Sequence, residues 1–273
     1  LVAASPCAVV ISVPAAILSA LSAAARGGVL FKGGAALETL AEVRAFAFDK
    51  TGTLTTGRAD VTGIHAEDTD GFLRKIAGLE AHSEHPIADA IRRATAERGL
   101  QPDPVTDVMA HPSEGITGRD DQGPIWAGNP RMAGRMGADL PHLEGVSNGA
   151  ETLIWLGRGA VLMGAITVAD RPRDSSRDAL AALKARGVTV ALMTGDRRPV
   201  AERIGAELGL APDDIHAGLM PEDKVDLVAG LATKGRVAFV GDGVNDAAAL
   251  ARADVGIAMG AAGSEVALQA ADV

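Results

Sequence analysis

Nearly continuous apolar runs alternate with amphipathic segments along most of this 273-residue chain. The runs are RAFAF, VTVALM, RVAFV and DVGIAM, and their composition is typical of strands buried on both faces. Helical spacing is found between them, in SSRDALAALKAR, RPVAERIGAEL and PEDKVDLVAGLAT. This alternation predicts an α/β fold with a doubly wound parallel sheet, in which ligands bind where the strands end.

A long interruption of this alternation indicates a second domain. Turns rich in Gly, Pro and Asp separate shorter strands there, and two helices are expected near residues 70–98. We interpret residues 57–169 as an inserted α+β domain, within a parallel-sheet domain formed by residues 45–56 and 170–273. A chain of this length has room for two domains of ordinary size.

The first 25 residues carry no charge and are followed by Arg26 and Lys32. As a helix they would extend about 38 Å, which is enough to cross a bilayer. We therefore expect a transmembrane helix over residues 1–25 and a connecting amphipathic segment over residues 26–44. The basic residues after the span favour a cytoplasmic location for the following domains. A helix buried in a protein core is the alternative that hydropathy leaves open.

The net charge and the cysteine count argue against a nucleic-acid-binding protein and against a disulfide-stabilised one. The net charge is −9 and no run of Lys and Arg exceeds two residues, so the chain lacks the basic surface that nucleic acids require. Because Cys7 is the only cysteine, no internal disulfide can form, which agrees with a reducing compartment.

Acidic residues follow three of the expected strands directly. Asp49 follows RAFAF, TGD at 194–196 follows VTVALM, and GDGVND at 241–246 follows RVAFV. Because parallel strands end at one sheet edge, we expect Asp49, Asp242 and Asp246 to lie together. Such carboxylates repel one another unless a cation joins them, and an oxygen-only site favours Mg²⁺.

The neighbouring residues suit phosphoryl chemistry. With its charge neutralised, Asp49 is a candidate nucleophile toward a phosphoryl group. The Thr194 hydroxyl and the Gly195 N–H would bind phosphoryl oxygens, and Lys224 would supply positive charge. Taken singly, an Asp before Gly or Thr is commonly a turn residue, and a helical Lys is commonly solvated. DKTGTLT has no packing explanation.

DKTGTLT resembles the phosphorylation motif of P-type ATPases, and TGD, MPEDK and GDGVNDAAAL follow in that family's order. The resemblance implies a haloacid-dehalogenase-like phosphorylation domain with an inserted nucleotide-binding domain, and Mg²⁺ and ATP as cofactors. It also implies that Asp49 is phosphorylated and that Mg²⁺ is held by Asp49, the Thr51 carbonyl and Asp242. The catalytic residues that it implies are Asp49, Lys50, Thr51, Thr194, Gly195, Asp196, Lys224, Asn245 and Asp246.

The inserted segment resembles the nucleotide-binding domain of the heavy-metal-transporting branch. LEAHSEHPIADAI resembles its Ser-Glu-His-Pro segment, PSEGITG its Gly-x-Gly loop and GNPR its Gly-Asn pair. Ser113 departs from the pattern, because Gly is usual there and lets backbone approach the nucleotide. Outside this context, His85 would commonly be a helix cap or a surface residue. The nucleotide-binding residues that the resemblance implies are Glu80, His85, Gly115, Ile116, Gly128 and Asn129.

SPC, residues 5–7, occupies the place of the Cys-Pro-Cys triplet that heavy-metal pumps carry in a membrane helix. Cys7 and Ser5 would then bind the transported metal, and Pro6 would free local carbonyls. Serine in place of the first cysteine resembles the cobalt/zinc-like subgroup of the P-IB branch and argues against Cu⁺. Cys7 as a small packing residue is the alternative.

The resemblance identifies the chain as the catalytic core fragment of a multi-pass cell-membrane ATPase that exports a divalent metal. Its partners would be ATP, the metal ion, the membrane, and the actuator domain and further membrane helices of the full-length protein. Two alternatives stay open. A soluble phosphatase of the same superfamily would carry Asp where Thr51 stands, and a non-catalytic membrane-anchored nucleotide sensor would have lost Asp49, Lys224 or Asp242.

Overall fold

The computed structural model of the protein divides into two compact units. The parallel-sheet unit comprises the residues up to Thr55 and from Pro172 onward, and the inserted unit is Thr56–Arg171. The residues that the structure describes are 7–141, 151–242, 246–260 and 269–273, with side chains from residue 10 onward.

The secondary structure elements are numbered in chain order. The strands are β1 Val43–Asp49, β2 Thr55–His65, β3 Thr106–His111, β4 Gly115–Asp120, β5 Gly123–Gly128, β6 Thr152–Arg158, β7 Val161–Pro172, β8 Thr189–Met193, β9 Ile215–His216, β10 Arg236–Gly241 and β11 Val255–Ala258. The α-helices are α1 Cys7–Arg26, α2 Gly34–Ala41, α3 Thr69–Leu79, α4 Pro86–Glu97, α5 Pro130–Arg135, α6 Asp174–Ala185, α7 Arg198–Glu207, α8 Pro221–Ala232 and α9 Ala247–Arg252.

The parallel-sheet unit contains five parallel strands in the order β11-β10-β1-β8-β9. Successive residues of β1, Ala47 and Phe48, belong to different hydrophobic clusters, because the sheet is covered on both faces. The chain passes from β1 to β8 and β9 and then returns to place β10 on the other side of β1. The loops after β1, β8 and β10 therefore meet at the point where doubly wound sheets bind ligands. The predicted α/β fold is confirmed.

The inserted unit is an antiparallel sheet with helices packed on it. Its six strands have the order β2-β7-β6-β5-β4-β3. Leu73 and Ile76 of α3 and Ile91 of α4 belong to the same buried cluster as Leu156 and Ile166 of the sheet. The expected α+β insertion with two helices near residues 70–98 is confirmed by α3 and α4.

The N-terminal segment is helical where the structure describes it. Within the described part of the chain, no helix is long and apolar enough to cross a membrane. Of the transmembrane helix expected over residues 1–25, the described residues from Cys7 onward belong to α1, which continues to Arg26. Ser5 and Pro6 lie outside the described residues, as does the side chain of Cys7.

Candidate active site

The β1 loop, Lys50–Leu54, turns the chain immediately after Asp49. Asp49 is the last residue of β1 and is only 7% exposed. Gly52 adopts a left-handed conformation with φ of 73°, and a Cβ atom at this position would overlap the Asp242 carboxylate. Glycine is therefore required twice, for the backbone conformation and for the close approach of Asp242.

The aspartate cluster consists of Asp49, Asp242 and Asp246, each of which offers a carboxylate oxygen within 4.8 Å of the others. The Lys224 ammonium lies 2.6 Å from Asp49 Oδ1 and 2.8 Å from Asp246 Oδ1. Lys224 comes from the first turn of α8, whereas the carboxylates follow β1 and β10. Three chain segments thus bring three acids and one base together, as the sequence predicted for Asp49, Asp242 and Asp246.

The pKa values in the cluster indicate an excess of negative charge. Burial and the nearby Asp246 charge raise the pKa of Asp49 to about 6, although Lys224 opposes them. Burial, followed by the Asp246 charge, also raises the pKa of Asp242. Burial alone would lower the pKa of Lys224, but the carboxylates of Asp49 and Asp246 outweigh it and raise that pKa. The oxygen donors and the charge that Lys224 leaves uncompensated fit Mg²⁺.

The TGD segment is held against the β1 loop and β9. The Lys50 ammonium lies 2.8 Å from Asp196 Oδ2, and Asp196 N–H donates to Thr194 Oγ1. The Thr194 N–H donates to the His216 carbonyl of β9. Strand β9, which has only two residues, was not predicted from the sequence, and it fixes the backbone beside Thr194.

Most of the expected catalytic residues line one cleft of about 580 Å³. Lys50 is not among its lining residues and lies 4% exposed at the ion pair with Asp196. Asn245 lies outside the described residues. Leu219 and Pro221 line the cleft too and were not predicted, because neither side chain carries chemistry that a motif would reveal. The expected residues that line it are Asp49, Thr51, Thr194, Gly195, Asp196, Lys224, Asp242 and Asp246.

A second cleft, of about 410 Å³, lies within the inserted unit. His111 lines it as well and was missed, because a single His before Pro carries no motif. Its Nε2 lies 3.0 Å from Thr117 Oγ1. All six nucleotide-binding residues expected from the sequence line this cleft, namely Glu80, His85, Gly115, Ile116, Gly128 and Asn129.

His85 is both a helix cap and a cleft residue. Its Nδ1 accepts a hydrogen bond from the Ile87 N–H at the start of α4, at 3.2 Å. A neutral His85 therefore carries its hydrogen on Nε2, as a donor. The two interpretations considered from the sequence, cap and ligand, are thus compatible in one side chain.

Glu80 lies at the end of α3, in the turn that leads to α4. Burial raises the pKa of its carboxyl group, against the hydrogen bond with Ser83. Arg92 donates to the carbonyls of Glu80 and Ser83 at 2.7 and 2.8 Å. Arg92 thus fixes the backbone of this turn, a role that its position on α4 gave no reason to expect.

Asn129 joins the turn between β3 and β4 to helix α5. Its Oδ1 accepts from the Arg131 N–H at 3.0 Å, and its Nδ2 donates to the Ser113 carbonyl at 2.8 Å. Ser113, which stands where the family has glycine, adopts a left-handed φ of 63°. This serine therefore retains the backbone conformation for which glycine is the usual residue.

Comparisons with known proteins agree with this site. A family model described as haloacid dehalogenase-like hydrolase matches residues 43–254. The chain is 40% identical over 281 residues to copper-transporting ATPase 1 of Rhizobium meliloti (strain 1021), covering 100% of this chain and 34% of the relative. It is 40% identical over 291 residues to a probable cadmium-transporting ATPase of Staphylococcus aureus (strain MRSA252), covering 100% of this chain and 39% of the relative.

A solved structure extends the similarity to three dimensions. The crystal structure of a zinc-transporting PIB-type ATPase in the E2.Pi state is 39% identical, with a TM-score of 0.88. That match covers 98% of this chain and 44% of the other.

The cleft at the parallel sheet and these similarities define the class of protein. The chain belongs to the haloacid dehalogenase-like hydrolase family. It is similar to the catalytic core of heavy-metal-transporting P-type ATPases. The resemblance inferred from its motifs is confirmed. Enzymes of this class use Mg²⁺ and ATP. The chain spans 34% and 39% of the length of the two curated relatives.

Proposed function

We propose that this chain is the ATP-binding and phosphorylation core of an ATP-driven pump for a divalent transition metal. The observation that carries the proposal is the Lys224 ammonium between Asp49 and Asp246 in a cleft lined by Thr194. This arrangement keeps a buried carboxylate at the end of β1 beside groups that suit phosphoryl oxygens.

In the proposed reaction, an Asp49 carboxylate oxygen attacks the γ-phosphorus of ATP. A bond forms between that oxygen and phosphorus, the bond to the β–γ bridging oxygen breaks, and ADP leaves with the electron pair. Lys224, the Thr194 hydroxyl and the Gly195 N–H hold the non-bridging oxygens. Lys50 holds Asp196 beside them. Thr51 lacks a carboxylate that would act as a base for water, so the aspartyl phosphate persists.

Mg²⁺ fits the aspartate cluster for the reasons of charge and donor chemistry given above. Asp49, Asp242 and the Thr51 carbonyl would hold it, and Asp246 with Asn245 would complete the site. When bound, Mg²⁺ supplies positive charge that offsets the repulsion between Asp49 and an incoming phosphoryl group.

We assign nucleotide binding to the inserted unit, with domain boundaries at residues 57–169. Support comes from the second cleft, where Glu80, His85 and Asn129 surround a site of mixed apolar and polar lining. His85, an exposed residue that lines this cleft, would contact the adenine end of ATP through Nε2.

The transported substrate is proposed to be of the Co²⁺/Zn²⁺ class, bound by Cys7 and Ser5 and moved by export across the cell membrane. The SPC triplet supports this class, because one thiolate and one hydroxyl make a harder site than two thiolates. The relatives named above are copper- and cadmium-transporting ATPases, and the solved structure is zinc-transporting. The actuator domain and further membrane helices are proposed to belong to the same full-length protein.

The test is labelling of the full-length protein with γ-labelled ATP and Mg²⁺. We expect an acid-stable label that hydroxylamine removes, present in the wild type and absent in Asp49→Asn. The matched control is Asp213→Asn, which alters an exposed aspartate and should leave labelling intact. Absence of label in the wild type despite ATP binding would support the sensor alternative. Release of phosphate without a trapped label would support the phosphatase alternative.

Substrate class is tested by metal-stimulated ATP hydrolysis with Co²⁺, Zn²⁺, Cd²⁺ and Cu⁺. We expect stimulation by Co²⁺ or Zn²⁺ and its loss in Cys7→Ala, with nucleotide binding unchanged. Stimulation by Cu⁺ alone would contradict the proposed class.

A further inference from the structure

The β1 loop has backbone conformations that leave its carbonyls outside regular hydrogen-bond ladders. Thr51 and Gly52 have non-helical dihedral angles inside it. Buried carbonyl groups require donors from elsewhere in the structure. Most of the donors to these carbonyls come from Arg173, a residue outside the motifs that predicted the site.

The Arg173 guanidinium binds three carbonyls in and beside this loop. Nη2 donates to the Gly52 carbonyl at 2.9 Å, and Nε donates to the carbonyls of Thr53 and Thr55 at 3.1 and 3.0 Å. The N–H groups of a planar guanidinium point in fixed directions. The three carbonyls can therefore all accept from Arg173 only when the loop keeps this conformation.

The Leu54 carbonyl, which lies between those of Thr53 and Thr55 in the chain, accepts hydrogen bonds from the start of α6. Leu54 accepts from the Arg173 backbone N–H at 2.9 Å and from the Ser176 hydroxyl at 2.9 Å. Ser176 is 6% exposed and lies in the first turn of α6. Four successive carbonyls, those of residues 52–55, are therefore fixed by two residues at the start of one helix.

We propose that Arg173 is a positioning residue for phosphoryl transfer, which acts by fixing the β1 loop and hence the Asp49 carboxylate and the Thr51 carbonyl. The inference rests on the proposed function of Asp49. The physical reason is that a small displacement of a reacting group lowers the reaction rate by a large factor. The same displacement need not unfold the protein. Lysine retains the charge but has no fork that can bind three carbonyls.

The test compares Arg173→Lys with the wild type in the full-length protein. At saturating ATP, we expect the phosphorylation rate to fall by about 10- to 100-fold. The dissociation constant of ATP should stay within about twofold, because the second cleft is unaltered. The matched control is Arg171→Lys, which loses one hydrogen bond to the Val61 carbonyl in the inserted unit and should keep the wild-type rate.

A purely structural role predicts a different result. Arg173→Lys would then lower the melting temperature and reduce the rate only in proportion to the folded fraction, which overturns the proposal. An increase in KM for ATP with an unchanged rate at saturation also overturns it.

A second measurement separates this inference from the proposed function. Mg²⁺ is titrated without nucleotide, and its affinity is read from the protection of the protein against thermal unfolding. We expect weaker Mg²⁺ affinity in Arg173→Lys than in Arg171→Lys, even if no phosphoenzyme forms in the wild type. Equal Mg²⁺ affinity in the two variants contradicts positioning of the β1 loop by Arg173.

Discussion

The ammonium of Lys224 lies 2.6 Å from Asp49 Oδ1, although the two residues are 175 positions apart in the chain. Both side chains are only 10% exposed. An ion pair at this depth contributes little net stability, because both charges have lost their water. Its effect is to make a second buried carboxylate, that of Asp246, tolerable beside Asp49. The pair therefore sets the charge state on which the proposed nucleophilic attack by Asp49 depends.

Replacing Lys224 by Gln should destabilise the parallel-sheet unit by up to about 3–5 kcal/mol, the usual cost of removing one partner of a buried pair. Mg²⁺ should then raise the melting temperature more in the variant than in the wild type, because the cluster has lost its internal cation. Thermal unfolding with and without Mg²⁺ at neutral pH measures this. Lys234→Gln, at an exposed position, is the control and should show the wild-type Mg²⁺ response. An equal Mg²⁺ response in both variants would show that Lys224 does not offset the cluster charge.

Ser113 offers a test of backbone conformation in the second cleft. Because its φ is 63°, we expect Ser113→Gly to be tolerated and to bind ATP at least as tightly as the wild type. Ser113→Val should weaken ATP binding, because a β-branched residue is poorly compatible with this conformation. Calorimetric titration with ATP measures both. Equal ATP affinity for serine and valine would show that this turn does not shape the site.

Much of the catalytic cleft was predictable because its residues follow strands. Asp49 follows a buried apolar run, and the rule that parallel strands end together is enough to bring it near Asp242 and Asp246. Lys224 was a candidate on chemical grounds as well, and the motif resemblance then strengthened its assignment over that of a solvated helical lysine. Arg173 was not predictable in this way, since it acts on backbone carbonyls and its partners depend on the shape of the β1 loop.

Sequence patterns also failed for short or context-dependent elements. Strand β9 has two residues, which is too short for any periodicity to indicate a strand. His111 was missed because a His side chain suits many environments, and only the fold reveals that it lines the second cleft.

The buried carboxylate of Asp120 should make the folding stability of the inserted unit depend on pH. Its side chain is 2% exposed, and the hydrogen bond from Arg158 lowers its pKa, with a further contribution from Lys75. A pKa lowered by folding stabilises the protein above the unfolded-state pKa of about 3.9, and that stability is lost as the pH falls below it. Asp120→Asn should cost about 3–5 kcal/mol at pH 7, and the difference from the wild type should shrink below about pH 4.

Tryptophan fluorescence can follow this unfolding selectively, because both tryptophans, Trp126 and Trp155, lie in the inserted unit. Urea unfolding would be compared with that of Asp121→Asn, an exposed neighbour. A pH-independent difference between Asp120→Asn and the wild type would contradict the role of the carboxylate charge.

Two different substitutions of His85 separate its role as a helix cap from its proposed role in ATP binding. Asn keeps a short acceptor for the Ile87 N–H but lacks the Nε2 donor, so His85→Asn should bind ATP more weakly with little loss of stability. His85→Ala removes both functions and should also lose about 1 kcal/mol of stability. Calorimetric ATP binding and urea unfolding measure the two effects. Wild-type ATP affinity in His85→Asn would leave His85 as a cap alone.

Thr51 tests whether the phosphoenzyme persists because a base is missing. A carboxylate at this position would take a proton from water that attacks the aspartyl phosphate, and positioned bases contribute about 10²–10⁴ in rate. Thr51→Asp should therefore shorten the phosphoenzyme lifetime. Its added charge beside Asp49 also opposes labelling, so the steady-state level cannot report the lifetime. We would label the full-length protein with ATP, stop labelling with excess chelator and follow decay, with Thr51→Asn as the uncharged control. Faster decay in Thr51→Asp alone is expected, whereas equal decay in both variants would refute the argument.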